Sequence, residues 1–143
     1  MKLFAALFAL LLVHQPQKMA ENLKQEVKKQ NITVTVANVK SEKGTVGFAL
    51  YDKMTFMKIP LKTATGTIKK GKSTVVFKDV IPGDYAIICF HDVNGNKQMD
   101  FNERGMPEED YGISNNPSNF GPPNYETAKF EIADKNVTLE IRF

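Results

Sequence analysis

Twelve residues near the middle of the chain place side-chain oxygens at a spacing that suits a hard cation. Counted from Asp92, the run D-V-N-G-N-K-Q-M-D-F-N-E carries them at positions 1, 3, 5, 9 and 12, which are Asp92, Asn94, Asn96, Asp100 and Glu103. Gln98, at position 7, is placed to offer its backbone carbonyl, and Met99 is the inward apolar residue. This is the ligand spacing of a calcium loop of the EF-hand type. A hard dication takes six to eight oxygens, and alternating ligands let one tight turn wrap around it. Three acidic residues would give a site of moderate affinity, with calcium as its one cofactor and no organic cofactor implied. Two features depart from the pattern. Position 6, where the sharp turn needs glycine, is Lys97, and no amphipathic helices flank the segment, so any calcium loop here is set between strands. The same residues also suit a loop of Asx turns in which Asn and Asp satisfy nearby backbone donors.

Other reactive residue types lie close by. His91 precedes Asp92 and could act as a ligand or a general base, or could simply hydrogen-bond at a strand end. Cys89, the sole cysteine, rules out an internal disulfide and reads as a small buried hydrophobe in the run Tyr85–Phe90. In a strand it shares a face with His91, but no further partner completes a nucleophilic triad. Glu108, Glu109 and Asp110 lack a partner acid at a defined distance and read as a solvated turn. Tyr111, Phe120 and Tyr125 could serve as stacking platforms for a sugar, although loop aromatics also pack.

The elements that must position these residues read as strands. Ile32, Val34 and Val36 alternate with Thr33, Thr35 and Ala37. A turn at Ser41–Gly44 leads into Thr45–Tyr51, with Val46, Phe48 and Leu50 on one face, which is a hairpin signal. A short helical turn is expected around Met54–Met57, then a weaker strand over Leu61–Ile68 and a clear one over Ser73–Phe77. Pro82-Gly83 turns the chain into Tyr85–Phe90, apolar on both faces and hence central in its sheet. A long ordered loop follows from His91 to about Asn124, then strands over Thr127–Ile132 and Val137–Phe143. Six to seven short strands without a long amphipathic helix predict an all-β, single-domain antiparallel sandwich.

The first residues differ from the rest. Lys2 and the apolar run Leu3–Val13 have the length of a signal-peptide core, too short for a membrane-spanning helix. Residues 1–20 are therefore read as a signal peptide, 21–30 as a polar linker and 31–143 as the domain, exported to the periplasm or beyond and not integral to the membrane once processed. The formal charge of +3 falls to +1 when Lys2 and Lys18 are set aside, so nothing marks a nucleic-acid partner. Lys69, Lys70 and Lys72 read as a solvated turn.

From Pro82 to Asn116, the stretches P-G-D-Y-A-I, H-D-V-N-G-N-K-Q-M-D and G-M-P-E-E-D-Y-G-I-S-N-N, with the later G-P-P-N-Y-E-T-A-K-F, resemble the bacterial exported family termed domain of unknown function 2141. The matching positions are His91, Asp92, Asn94, Gly95, Asn96 and Asp100, then Gly105, Pro107, Tyr111, Gly112, Ser114, Asn115 and Asn116. The family usually has glycine at Lys97 and commonly at Asp110; the first change weakens the calcium reading. The resemblance implies a transthyretin-like, immunoglobulin-like sandwich, with Pro82, Gly83 and Tyr85 forming its shared turn, and no established activity. The expected function is an exported, non-enzymatic module with a calcium-binding loop. The alternatives are a periplasmic metal-dependent hydrolase centred on His91, Asp92 and Asp100, or an envelope carbohydrate-binding module. An envelope protein or a glycan is the partner these readings imply.

Overall fold

A computed structural model describes residues 26–118 and 121–143. The signal-peptide segment 1–20, residues 21–25 of the linker and Phe120 lie outside the described residues. Eight strands form two facing sheets: β1 (Gln30–Val36), β2 (Thr45–Tyr51), β3 (Lys62–Gly66), β4 (Ser73–Val80), β5 (Gly83–Asp92), β6 (Tyr111–Ile113), β7 (Phe130–Ile132) and β8 (Val137–Ile141). One sheet has the order β4-β1-β8; the other runs β3-β2-β5-β6, with β7 also pairing β5. The all-β sandwich is thus the observed architecture. No helix among the described residues is long and apolar enough to cross a membrane.

Alternation decides the faces. Ile32, Val34 and Val36 of β1 and Val46, Phe48 and Leu50 of β2 are buried, and their neighbours point outward. They meet Phe77, Ile87, Cys89, Ile132 and Ile141 in one core. β5 is central, as its two apolar faces predict. It pairs with β2 along most of its length, and on its other edge with β7 through Gly83–Tyr85 and with β6 through Ile88–Phe90.

Three elements depart from the sequence pattern. First, β1 and β8 pair in parallel, Ile32 opposite Val137 through Val36 opposite Ile141, in a sandwich otherwise antiparallel. β7 runs antiparallel to β5 in one sheet, and the turn at 133–136 carries the chain across to the other, where β8 lies alongside β1 in the same direction. Second, the expected strand at Thr127–Ile132 is split into a short helix, α1 (Tyr125–Ala128), and β7. The Asn124 side chain caps it by accepting from the Glu126 N–H, while the Lys129 N–H reaches the Tyr125 carbonyl. Third, Met54–Met57 is a sequence of turns rather than a helix, and the long loop after His91 contains β6.

Candidate functional site

β5 delivers His91 and Asp92 to one end of the sandwich, both buried. Adjacent strand residues point to opposite faces, so the two side chains diverge. The His91 ring nitrogen Nε2 lies 2.7 Å from the Lys43 carbonyl oxygen, in the β1–β2 turn. Gly44 in that turn has φ +77° and lies against the Asp92 carbonyl with no room for a Cβ.

Asp92 turns into the loop and organises it. Its Oδ1 accepts from the Gly95 N–H at 2.8 Å and the Asn96 N–H at 3.1 Å; its Oδ2 accepts from the Lys97 N–H at 2.9 Å. One carboxylate at 2% exposure thus gathers three consecutive backbone donors. The next turns repeat the device, with Asn94 Oδ1 accepting from the Asn96 N–H and Asn96 Oδ1 from the Gln98 N–H. Lys97 takes the left-handed conformation, φ 63°, that position 6 of a calcium loop requires and glycine normally supplies. Asp100 closes the ring: its two oxygens accept from the side-chain amides of Asn94 at 2.6 Å and Asn96 at 2.8 Å.

The sequence-derived ligand set is therefore only partly gathered. Asp92, Asn94, Asn96 and Asp100 form one network, and Gln98 contributes a backbone N–H to it. Glu103 stands apart. Residues 100–108 fold into a small hairpin, with Phe101 bridged to Pro107, the Glu108 N–H on the Asp100 carbonyl and the Asn102 N–H on the Met106 carbonyl. Glu103 sits exposed near its tip, where Asn102 Oδ1 accepts from the Arg104 and Met106 N–H groups and Gly105 has φ +73°.

The acid that does reach the loop is Glu109, assigned to a solvated turn by sequence alone. Its carboxylate accepts from the Val93 N–H at 3.1 Å and the Asp100 N–H at 3.3 Å. The signal that could have found it is the turn N-E-R-G at Asn102–Gly105. A tight turn there sets Asp100 opposite Glu108 and brings Glu109 beside the loop. Asp110 pairs instead with Lys40 at 2.9 Å.

Among the described residues, no three His, Cys, Asp or Glu side chains converge as a metal-holding group. The donor set still has capacity for a cation. Asp92 Oδ1 is saturated by two N–H groups, whereas Asp92 Oδ2, both Asp100 oxygens and the two Asn carbonyl oxygens each keep a lone pair. Taking up a cation beside Asp100 would require both Asn amides to turn away from it.

Other singled-out residues have structural surroundings. Cys89 is fully buried, its thiol donating towards the Gly112 carbonyl, and burial pushes its pKa far up. Tyr111 and Tyr125 border separate depressions of about 240 and 330 Å³ that share no lining residue. Ser114, Asn115 and Asn116 act as a clasp. Buried Ser114 Oγ accepts from the Ile87 N–H and donates to the Ala128 carbonyl; the Asn115 amide reaches the Thr127 and Lys129 carbonyls; Asn116 exchanges bonds with Glu140 and Arg142. Gly112 lies so close to the Arg142 carbonyl that a Cβ would collide with it.

Residues 34–140 match the family described as "uncharacterized protein conserved in bacteria" (DUF2141). With most of its length matched, the chain belongs to that family, and its fold within it is a β-sandwich. No curated protein matches the chain, and no solved structure matches it.

Proposed function

We propose that this chain is an exported, non-enzymatic β-sandwich module, transthyretin-like in build, whose Asp92–Asp100 loop takes up a calcium ion. The observation that carries this reading is the wrapping of three consecutive N–H groups, Gly95, Asn96 and Lys97, around the Asp92 carboxylate. That wrapping brings the side chains of Asn94 and Asn96 against the Asp100 carboxylate, so that once their amides turn, their oxygens and that carboxylate can share one cation. The left-handed Lys97 backbone removes the main objection to a calcium loop without glycine at position 6. Glu109 is the additional acid within reach, in place of Glu103. The non-enzymatic part is supported by the His91 ring, which is committed to the Lys43 carbonyl and faces away from the loop's carboxylates. Export is inferred from the Leu3–Val13 run alone.

The test is a thermal melt with millimolar calcium and with chelator. Calcium at a hundred times its Kd stabilises a native-state site by about 2.7 kcal/mol, and Asp100→Asn should abolish the rise in melting temperature. An identical melt in both conditions overturns the calcium reading.

A further inference from the structure

We propose that the loop between β2 and β3 docks this protein on an anionic phospholipid surface. The loop lies at the opposite end of the sandwich from Asp92, since Thr45 of β2 pairs with Asp92 while Tyr51 pairs with Ala86. Four large apolar side chains stand out of it: Met54 is 77% exposed, Met57 54%, Ile59 78% and Leu61 46%. Single exposed hydrophobics are ordinary, but four within eight residues mark a contact surface.

Their exposure is built in rather than incidental. Asp52 Oδ1 accepts from both the backbone N–H and the hydroxyl of Thr55, and the Lys58 N–H closes on the Thr55 carbonyl. Phe56, the loop's one aromatic, is turned inward between Tyr51 and Tyr125, with ring centroids at 5.8 and 5.5 Å. Met57 is held at φ 56°. The anchoring aromatic thus faces the protein and the aliphatics face away from it. Side chains nearly four-fifths exposed stand clear of their neighbours, which suits insertion into a soft phase better than seating on a protein groove.

The charges select the kind of surface. The stretch K-M-T-F-M-K-I-P-L-K, Lys53 to Lys62, has three lysines and no acid. Lys53 is paired with Glu126, but the Lys58 and Lys62 ammonium groups meet only the Met54 and Lys78 carbonyls and no carboxylate among the described residues. Long lysine stems can lie along buried apolar groups while their charges stay at headgroup level. The chain also enters the fold at this end, where Gln30 pairs with Val80, and exposed Val27, Lys28 and Lys29 precede it. Ile81, 53% exposed, lies at the same end.

The chain contains no tryptophan, so Ile59→Trp provides a single emitter on the loop and Phe101→Trp an equivalent one at the far end. With vesicles of phosphatidylglycerol and phosphatidylcholine, emission of the Ile59→Trp protein should move to shorter wavelength, while that of the Phe101→Trp protein should not. Adding Lys58→Glu and Lys62→Glu should weaken the vesicle affinity about tenfold or more. An equal shift on phosphatidylcholine alone overturns the anionic selectivity and with it the proposal. So does vesicle binding without a shift at position 59, or no binding at all. A concentration-dependent shift without vesicles assigns the loop to a second copy of the chain and overturns the lipid surface.

Discussion

The two ends of the sandwich satisfy their exposed chain in opposite ways. At the Asp92 end, polar side chains bond to their own backbone: Asp92, Asn94, Asn96, Asn102 and Glu109 accept N–H groups a few residues away or across the loop. At the other end, one Asp–Thr turn and one inward aromatic suffice to hold the loop, and its aliphatic side chains are left facing out. The first loop's polar groups hold it in shape, so altering them costs stability. The second loop's outward residues contribute little to folding, so altering them should leave stability alone. An apolar side chain on a rigid loop with no folding role is free to serve a contact.

That contrast can be broken experimentally. The largest effect is expected from Asp92→Ala, which removes the buried carboxylate that gathers the Gly95, Asn96 and Lys97 N–H groups and should cost about 3 kcal/mol in a urea melt. A loss below about 1 kcal/mol would mean that the loop is not organised by this carboxylate. Lys97→Gly should act in the opposite direction, relieving a left-handed non-glycine residue by up to about 1 kcal/mol and lowering the calcium midpoint.

Acid should act at the far end. Bonds from Lys129 and then Lys53 hold the Glu126 carboxyl well below its ordinary 4.5, at about 2. Its contribution is complete above the ordinary value and is lost as pH falls from about 4.5 towards 2, because protonation then breaks both ion pairs. Melts of wild type and Glu126→Gln should therefore converge on the acid side, by a small amount for so exposed a group. Smallest of all, Met57→Ser with Ile59→Ser should shift stability by no more than about 0.5 kcal/mol. A large loss there would show those side chains to be structural.

Much of the fold was legible in period-two alternation, because burial of one strand face leaves a direct trace in residue type. Val46, Phe48 and Leu50 announce their sheet face without help, and the doubly apolar run Tyr85–Phe90 announces its central position. Direction left no such trace: a strand's apolar pattern is the same whether its neighbour runs with it or against it, so the parallel β1–β8 pair was invisible. The helix at Tyr125–Ala128 is too short to express a period of 3.6, so its last residues read as the start of the strand that follows. In the candidate site, Asp92, Asn94, Asn96 and Asp100 were found because local turns depend on close spacing. Glu109 was missed because it arrives by way of the Asn102–Gly105 turn, which folds the segment back and carries Glu103 away.

The parallel pair also sets when the molecule can exist. β1 sits in the middle of its sheet, with β4 on one edge and β8, nearly the last residues of the chain, on the other. Val34 and Ile141 are both fully buried, and Asn38 and Phe143 bond across 105 residues. β1 must therefore wait for β8, about a hundred residues later, before its sheet is complete. A growing chain that has not yet reached Val137 has an open sheet edge and an unroofed core, and such long-range closure is intrinsically slow. The architecture delays its own completion until Val137–Ile141 has been made.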